Sequence, residues 1–206
     1  MIENAGSTLA MDDHVILVDA DGTPRGLAPR ATVHSTRTPL HLAFSCHVVR
    51  ADGAVLLTRR ALSKRTWPGV WTNSFCGHPR QGESFIEAID RHARHELGIA
   101  VRPPVRALPD FRYRAVDASG VVENEVCPVF VAELADAAAD AVGRTGAAGP
   151  ASRLSPNPEE VMDHRWVAPE ELRTLVELAP WALSPWAVEQ IPQLDAHLLR
   201  SAAGAR

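Results

Sequence analysis

The sequence has little of what marks several classes of protein. Its 206 residues include three cysteines and one tyrosine, and no apolar run approaches the ~20 residues of a membrane span. Three widely spaced cysteines do not make a disulfide framework, so a reducing cytoplasm is the expected location. No basic segment followed by an apolar core stands near the N-terminus, so no signal peptide is expected.

A large excess of charge is also lacking. The formal net charge of -4 argues against nucleic acid as a main partner, because a basic surface is expected in proteins that bind it. No long apolar heptad pattern predicts association between chains. A monomer that neither spans a membrane nor binds nucleic acid is therefore the expectation.

What the sequence does have is the composition of a globular domain, with 46% apolar and 22% charged residues. We expect a loose leader over residues 1–11, a single domain over 12–200 and a tail over 201–206. Within that domain, the stretch 135–158 is rich in Ala, Gly, Ser and Pro, which predicts a low-complexity insertion.

Hydrophobic periodicity predicts strands and helices without regular βαβ alternation, which favours an α+β or layered α/β/α domain. The predicted strands span residues 14–18, 40–50, 54–60, 121–134 and 160–167. The predicted helices span residues 83–97, 169–178 and 184–202. A long loop, rich in Pro, Gly, Trp and polar groups, is expected over 66–82, and such loops often carry function.

One loop–helix segment carries glycine and charged residues at fixed spacing. These residues are Gly77, Glu83, Arg91, Glu96 and Gly98. The pattern resembles the Nudix box, whose helix normally carries several carboxylates that hold Mg²⁺ on a diphosphate. His92 and His95 stand at two positions that are Glu in Nudix hydrolases. We therefore expect the fold to be kept and the usual hydrolytic metal cluster to be lost.

Three histidines and two glutamates are candidate metal ligands. They are His34, His41, His78, Glu123 and Glu125. The two glutamates are two positions apart in a predicted strand, so both point to one face, where facing inward they would need a cation. Such a set suits Zn²⁺, Mn²⁺ or Mg²⁺. Taken singly, each histidine is more often a surface residue or a satisfied core residue.

Further candidates lie in or near the long loop. Cys76 could act as an acid, a base or a nucleophile, although a lone cysteine is more often an inert small apolar residue. Arg60 and Lys64, with Arg30 upstream, could grip phosphates, and a solvated basic patch is the alternative. An indole could stabilise a cation, although core packing is the commoner role of a tryptophan. The candidates, which stand beside proline or in loop-like contexts, are Trp67, Trp71, Trp181 and Trp186.

Together these motifs resemble the type I isopentenyl diphosphate isomerases, which are Nudix-fold enzymes. The stretches that carry the resemblance follow one another through most of the chain. They include Leu40-His-Leu-Ala-Phe44, Thr58-Arg-Arg-Ala-Leu-Ser-Lys64, Trp67-Pro-Gly-Val-Trp-Thr-Asn73, Cys76-Gly-His-Pro79, Phe111-Arg-Tyr-Arg114, Glu123-Asn-Glu-Val-Cys-Pro-Val129, Pro180-Trp181 and Ser184-Pro-Trp186. The resemblance implies an α+β fold, a Nudix-like α/β/α sandwich with a mixed β-sheet.

The resemblance also implies a role for each candidate residue. One divalent metal, Mn²⁺, Mg²⁺ or Zn²⁺, would be held by His34, His41, His78, Glu123 and Glu125. Cys76 and Glu125, the latter coupled to Tyr113, would be the acid and base on opposite faces of the allylic unit. Glu96 would help to hold Mg²⁺ on the diphosphate, and Cys76 is counted among the metal-binding residues as well.

For the substrate itself, the resemblance implies that Arg60, Lys64 and Arg30 bind the diphosphate and that Trp181 covers the hydrocarbon. Isopentenyl diphosphate would gain a proton at C4, pass through a tertiary cation at C3 and lose a proton from C2. The product would be dimethylallyl diphosphate, for isoprenoid biosynthesis. Because water would capture the cation, the site must close.

Two departures from the family pattern bear on this interpretation. His92 stands where related enzymes have an arginine that helps to bind the diphosphate, and Arg30 stands where lysine is common. Three different functions also fit parts of the sequence. They are a Nudix diphosphohydrolase, a non-catalytic module that binds a prenyl diphosphate or a metal, and an isomerase relative that acts on another prenyl diphosphate.

Overall fold

A computed structural model describes residues 13–135 and 154–194 of the chain. The predicted leader 1–11, the tail 201–206, residues 136–153 of the predicted insertion 135–158 and residues 195–202 of the predicted helix 184–202 lie outside the described residues. No helix in the described ranges is long and apolar enough to cross a membrane.

The described strands and helices alternate irregularly along the chain. The strands are β1 (His14–Val18), β2 (Pro24–Pro29), β3 (His41–Leu42), β4 (Phe44–Val49), β5 (Val55–Arg60), β6 (Trp71–Thr72), β7 (Phe75–Gly77), β8 (Val105–Leu108), β9 (Arg112–Val116), β10 (Val122–Val126), β11 (Val129–Glu133) and β12 (Val161–Val167). The α-helices are α1 (Arg30–Val33), α2 (Phe85–His92), α3 (Pro169–Leu178) and α4 (Pro185–Gln190). Short turns of 3₁₀-helix follow at Pro180–Ala182 and Ile191–Gln193.

The strands form two mixed sheets. One has the order β2-β1-β3-β10-β9, and the other has the order β12-β5-β4-β11-β8, with β6 on β5 and β7 on β4. Each sheet contains one parallel pair, β3 with β10 and β4 with β11, among antiparallel neighbours. This topology confirms the predicted α+β class with a mixed sheet.

The larger sheet is covered by helices on both faces. Along β4, Val48 packs with Ile89 of α2, whereas the next residue, Val49, belongs to the cluster with Leu172 of α3 and Trp186 of α4. This alternation follows from the two-residue period of a strand, which sends successive side chains to opposite faces. The result is the predicted α/β/α arrangement.

Two predicted strands are each divided between the sheets. The predicted strand 40–50 breaks at Ala43, and 121–134 breaks at Cys127–Pro128, so each half joins a different sheet. The breaks lie side by side, because the Ala43 amide donates to the Val126 carbonyl at 2.9 Å. The prediction of continuous strands was wrong here, since an unbroken apolar run does not show where a chain leaves one sheet for another.

The helix predicted at 83–97 is present but changes its winding. Ser84 caps α2 through a capping box with Glu87, which fixes the start at Phe85. From Ala93 to Leu97 the winding is π-helical, and Gly98 ends it in the left-handed conformation at φ 66°. Strands β2, β8 and β9 were not predicted, and the structure adds them to the sheet edges. The stretch 66–82, predicted as a loop, also contains the short strands β6 and β7.

Candidate active site

Four of the five predicted metal ligands meet in one group. The ligand atoms of His34, His41, His78 and Glu125 all lie within 4.8 Å of one another. The group draws on separate parts of the chain, because His41 lies on β3 and pairs in register with Glu125 on β10. His34 follows α1, and His78 follows β7. The close approach of His41 and Glu125 is thus fixed by strand pairing rather than by loops.

The arrangement of nitrogen and oxygen atoms fits a cation. His41 Nδ1 lies 2.9 Å from the Pro39 carbonyl and must donate to it, so in the neutral ring Nε2 carries the lone pair, and this atom faces Glu125 Oε1 at 3.4 Å. His34 Nε2 and His41 Nε2 are both buried and make no hydrogen bond of regular geometry within the described residues, although carboxylate oxygens lie 3.0 and 3.4 Å away. Buried acceptor atoms that face one another need a proton or a metal ion between them. The described residues therefore include a cluster able to hold a divalent ion.

Glu123, the fifth predicted ligand, lies at the margin of this group. Its Oε2 is 3.0 Å from His34 Nε2, and its Oε1 accepts a hydrogen bond of 2.6 Å from the Thr66 hydroxyl. The side chain is buried. A neighbouring ligand held by a second residue in this way keeps its orientation when a metal binds.

Glu125 is ionised in this environment. Burial opposes its ionisation, but hydrogen bonds and positive charge from His41 and His78 outweigh that effect and hold the pKa of Glu125 well below its usual range. His78 Nε2 lies 3.3 Å from Glu125 Oε1. The carboxylate is therefore charged, as a ligand of a divalent ion has to be.

Cys76 lies on β7, in the larger sheet. Its Sγ is 3.2 Å from the Ser45 hydroxyl and 3.2 Å from Asn73 Oδ1. Burial raises the pKa of the Cys76 thiol to about 12, although the hydrogen bond with Ser45 opposes this. The protonated thiol is the resting form. The sulfur is not among the four clustered ligand atoms, so a metal-binding role for Cys76 stays a prediction.

One cavity of about 670 Å³ connects these groups. Its walls include most of the predicted site residues and, among the residues without an assigned role, Trp186. They are Arg30, His34, Arg60, Lys64, Cys76, His78, Glu96, Tyr113, Glu123, Glu125 and Trp186. His41 lies behind this wall and is fully buried.

The structure contradicts the role predicted for Trp181. This side chain is 82% exposed, in the 3₁₀ turn Pro180–Ala182, and it does not line the cavity. Trp186 lines the cavity instead, with its ring 5.4 Å from that of Tyr113. Its Nε1 donates to Asn73 Oδ1 at 2.9 Å, so the same amide oxygen touches both Trp186 and Cys76. The correction assigns the indole wall of the site to Trp186.

Tyr113 stands opposite Glu125 across the pairing of β9 with β10. Burial raises the pKa of Tyr113 well above its ordinary value, and the negative charge of Glu125 adds to this. The phenol is therefore neutral and able to donate a hydrogen bond towards the carboxylates. This placement agrees with the predicted coupling of Tyr113 to Glu125, whose catalytic part stays a prediction.

The predicted diphosphate-binding cations surround the cavity, each with a local partner. Arg30 donates to Asp13, and Lys64 forms an ion pair with Glu160. Arg60 donates to the Thr66 carbonyl at 2.9 and 3.0 Å, and its guanidinium lies 5.4 Å from the centre of the Trp186 ring. Arg60 thus supports the residue that orients Glu123, a link that the sequence did not reveal.

Comparison with known proteins gives this site a context. A family model for the NUDIX domain matches residues 39–193. The isopentenyl-diphosphate Delta-isomerase of Clavibacter sepedonicus is 53% identical over 180 residues, which cover 87% of this chain and 86% of that protein. The one from Paenarthrobacter aurescens strain TC1 is 52% identical over 192 residues, with coverage of 93% and 96%. The chain belongs to the isopentenyl-diphosphate Delta-isomerase family.

Solved structures confirm the Nudix fold predicted for this family member. The DR0079 protein of Deinococcus radiodurans aligns with a TM-score of 0.62 at 18% identity and covers 89% of this chain and 99% of that one. The MutT protein of Methanosarcina mazei Go1 gives 0.52 at 17% identity, covering 77% and 95%. At such identities the likeness concerns the fold alone.

The Nudix-type helix of this isomerase-family chain offers the cavity a single carboxylate. Glu83 accepts two hydrogen bonds of 2.7 Å from Arg91, which also donates to the His78 carbonyl at 3.1 Å. This pair is structural, because it ties α2 to the loop that carries His78. Of the described carboxylates in the pattern, only Glu96 lines the cavity, where it bonds His92 Nδ1 at 2.6 Å.

Proposed function

We propose that this chain converts isopentenyl diphosphate into dimethylallyl diphosphate. One observation carries the proposal: Glu125 of the His/Glu cluster, on one sheet, and Cys76, on the other sheet, line the same cavity. The names of relatives that share about half of its residues support it. Two proton-transfer groups that approach from different sides suit a reaction that adds a proton at one carbon and removes one from another.

The carboxylate side of the site would work as follows. His34, His41, His78 and Glu125 would hold one divalent ion, Mg²⁺, Mn²⁺ or Zn²⁺, with Glu123 beside them. Such an ion makes a coordinated carboxylic acid a stronger acid. Glu125 would exchange a proton with one end of the allylic unit, while Tyr113 donates a hydrogen bond that steadies its charge.

The diphosphate would be the group by which the protein binds and orients the substrate. Arg30, Lys64 and Arg60 line the cavity and could exchange their present partners for phosphate oxygens. Glu96, also on the wall, would share a Mg²⁺ ion with the diphosphate. Charge-assisted contacts at this end supply binding energy that orients the alkene between Cys76 and Glu125.

The hydrocarbon would lie against Trp186. The indole is 2% exposed, is fixed by its hydrogen bond to Asn73 and presents an electron-rich face without a nucleophile. A desolvated aromatic face stabilises a neighbouring cation by roughly 2 kcal/mol or more. Trp186 would therefore shield the tertiary cation from water while protons move at Cys76 and Glu125.

A Nudix diphosphohydrolase is less well supported. Within the described residues, the Nudix-type helix gives the cavity only one carboxylate, Glu96, whereas His92 and His95 replace two expected carboxylates. Hydrolysis of a diphosphate requires metal ions clustered on that helix. A non-catalytic binding module would leave isopentenyl diphosphate unchanged, and a relative with a different substrate would isomerise only a longer prenyl diphosphate.

The proposal is tested by proton NMR of isopentenyl diphosphate with the purified protein in D₂O. Separate samples contain Mg²⁺ alone or Mg²⁺ with Mn²⁺ or Zn²⁺. We expect the terminal methylene signal to disappear, dimethylallyl methyl signals to grow and deuterium to enter the product. Phosphorus NMR of the same samples reports hydrolysis, because orthophosphate or a monophosphate would appear.

Two site variants and one control variant test the assigned roles. Cys76→Ala and Glu125→Gln should each lower conversion below a few per cent, whereas the exposed His164→Gln should leave conversion unchanged. An unaltered substrate with wild-type protein that is folded and metal-loaded would reject the proposal. Full activity in either site variant would reject its assigned proton-transfer role.

A further inference from the structure

A buried chain of side chains leads from the core to Cys76. His47 Nε2 lies 3.1 Å from Gln190 Oε1, Gln190 Nε2 lies 2.9 Å from Ser45 Oγ, and Ser45 Oγ lies 3.2 Å from Cys76 Sγ. His47, Gln190 and Ser45 are fully buried. None of these three residues belongs to the ligand cluster or lines the cavity.

The donors and acceptors in this chain have one consistent direction. Burial lowers the pKa of His47 to about 4, so the ring is neutral and carries a single N–H. Its Nδ1 is buried without a partner in the described part of the structure. An unpaired buried N–H is rarer in proteins than an unpaired acceptor, which places the proton on Nε2, donated to Gln190 Oε1. The Gln190 amide must then donate to Ser45.

The direction of the Ser45 hydroxyl follows from that bond. Because its oxygen accepts from Gln190, its proton is left to point at a sulfur atom. Two are within reach: Cys76 Sγ at 3.2 Å and Cys127 Sγ at 3.5 Å. Cys76 is nearer, and it alone of the two lines the cavity.

Cys76 meets the opposite kind of partner on its other side. Asn73 Nδ2 donates to the carbonyls of Cys46 and Phe75 at 3.1 and 2.7 Å, which fixes the amide with Oδ1 towards Cys76. The thiol therefore has an acceptor for its S–H in Asn73 and a donor to its sulfur in Ser45. Each protonation state of the sulfur finds a partner without movement of the backbone.

We propose that Ser45 is a positioning residue for Cys76, and that Gln190 and His47 fix its hydroxyl. This inference rests on the proposed isomerase function. When the S–H bond breaks and its proton joins carbon, the electron pair stays on sulfur, and the Ser45 O–H bond to sulfur strengthens. When sulfur takes a proton back from carbon, the restored S–H group again donates to Asn73 Oδ1.

The first test compares Ser45→Ala and Gln190→Leu with wild type in steady-state assays of isopentenyl diphosphate conversion. Each variant should lower kcat about 10-fold while KM changes less than about twofold, because the substrate does not touch either residue. The double variant should be no slower than the slower single variant, since both changes remove the same contact. Additive losses, or losses confined to KM, would overturn the proposal.

A matched control separates positioning from general destabilisation. Ser74 is another fully buried serine, whose hydroxyl bonds the Leu56 carbonyl and the Val48 amide. Ser74→Ala should lower the melting temperature at least as much as Ser45→Ala but leave kcat within about twofold of wild type. A kcat loss in Ser74→Ala equal to that in Ser45→Ala would reject a specific role for Ser45.

A second readout does not depend on turnover. Alkylation of Cys76 by iodoacetamide, followed by mass spectrometry on metal-free protein, should slow about 10-fold in Ser45→Ala, because the attacking sulfur loses its hydrogen-bond donor. Cys46 and Cys127 are buried and serve as internal references. If the wild-type protein does not isomerise the substrate, the proposed function fails, and the alkylation rate alone tests whether Ser45 positions Cys76. An alkylation rate unchanged in Ser45→Ala would overturn that positioning role.

Discussion

Gly77 lies directly against the imidazole ring of His92. A Cβ atom at position 77 would lie 2.4 Å from His92 Nε2, well inside any possible contact. The other side of the ring meets the Phe44 ring, with centroids 5.4 Å apart, and Nδ1 is held by Glu96. The absence of a side chain at Gly77 is therefore what lets His92 reach Glu96.

This relationship predicts the effect of Gly77→Ala. The new methyl group must displace the His92 ring from its contacts with Phe44 and Glu96, at a cost of about 1–3 kcal/mol in the free energy of unfolding. Adding His92→Ala should recover most of that loss, because it removes the clash. Urea denaturation of the single and double variants measures both effects. A double variant as unstable as Gly77→Ala would contradict the steric account.

Substitutions of the two tryptophans near the C-terminal helices should have very different effects on kcat. Trp186→Phe keeps an aromatic face but loses the bond to Asn73, so we expect a moderate fall in kcat, and Trp186→Leu should lose at least another factor of ten. Trp181→Leu changes an exposed residue and should leave kcat within about twofold. If the Trp181 variant were the more damaged one, the placement of the indole wall would be wrong.

Divalent ions should stabilise the folded protein through the His/Glu cluster. A ligand at 100 times its dissociation constant adds about 2.7 kcal/mol to the free energy of unfolding. We expect Mg²⁺, Mn²⁺ or Zn²⁺ to raise the melting temperature of chelator-treated wild type and to have little effect on His78→Ala. An equal rise in both proteins would show that the ion binds elsewhere. Ranking the three ions in this assay identifies the preferred metal.

His47 should make stability depend on pH. Its pKa is about 4 in the folded protein and near 6.5 in the unfolded chain, so the unfolded state binds more protons between these values. The free energy of unfolding therefore falls by about 3 kcal/mol as pH falls from 6.5 towards 4. His47→Gln should flatten this part of the stability curve relative to wild type. The exposed His164→Gln is the control and should not change the curve.

The fold class, the shared face of Glu123 and Glu125 and the limits of the Nudix-type helix could be predicted because local sequence carries them, whereas the convergence of the metal ligands was implied only by the family resemblance. Glu123 and Glu125 occupy alternate positions of one strand, and Ser84, Glu87 and Gly98 mark the limits of one helix. Signals of this kind depend on neighbours in the chain. Such signals can therefore be read without knowing how distant segments pack.

What could not be predicted depends on how distant segments pack. Trp181 and Trp186 each follow a proline and stand five positions apart, so their sequence contexts are nearly equivalent. Only the change from the 3₁₀ turn Pro180–Ala182 to helix α4 turns one indole to solvent and the other into the cavity. The link from His47 through Gln190 joins residues 143 positions apart and has no local signal.

The paired breaks at Ala43 and Cys127–Pro128 have a mechanical consequence. His41 and Glu125 stand two residues before these breaks in one sheet, and Ser45, the strand partner of Cys76, stands two residues after the first break in the other. Glu125 and Cys76, the two groups proposed to transfer protons, therefore both lie close to the junction of the two sheets. Because both groups lie so close to this junction, a rotation of one sheet by several degrees would move them very little. The distance between them would therefore change little when the outer strands move.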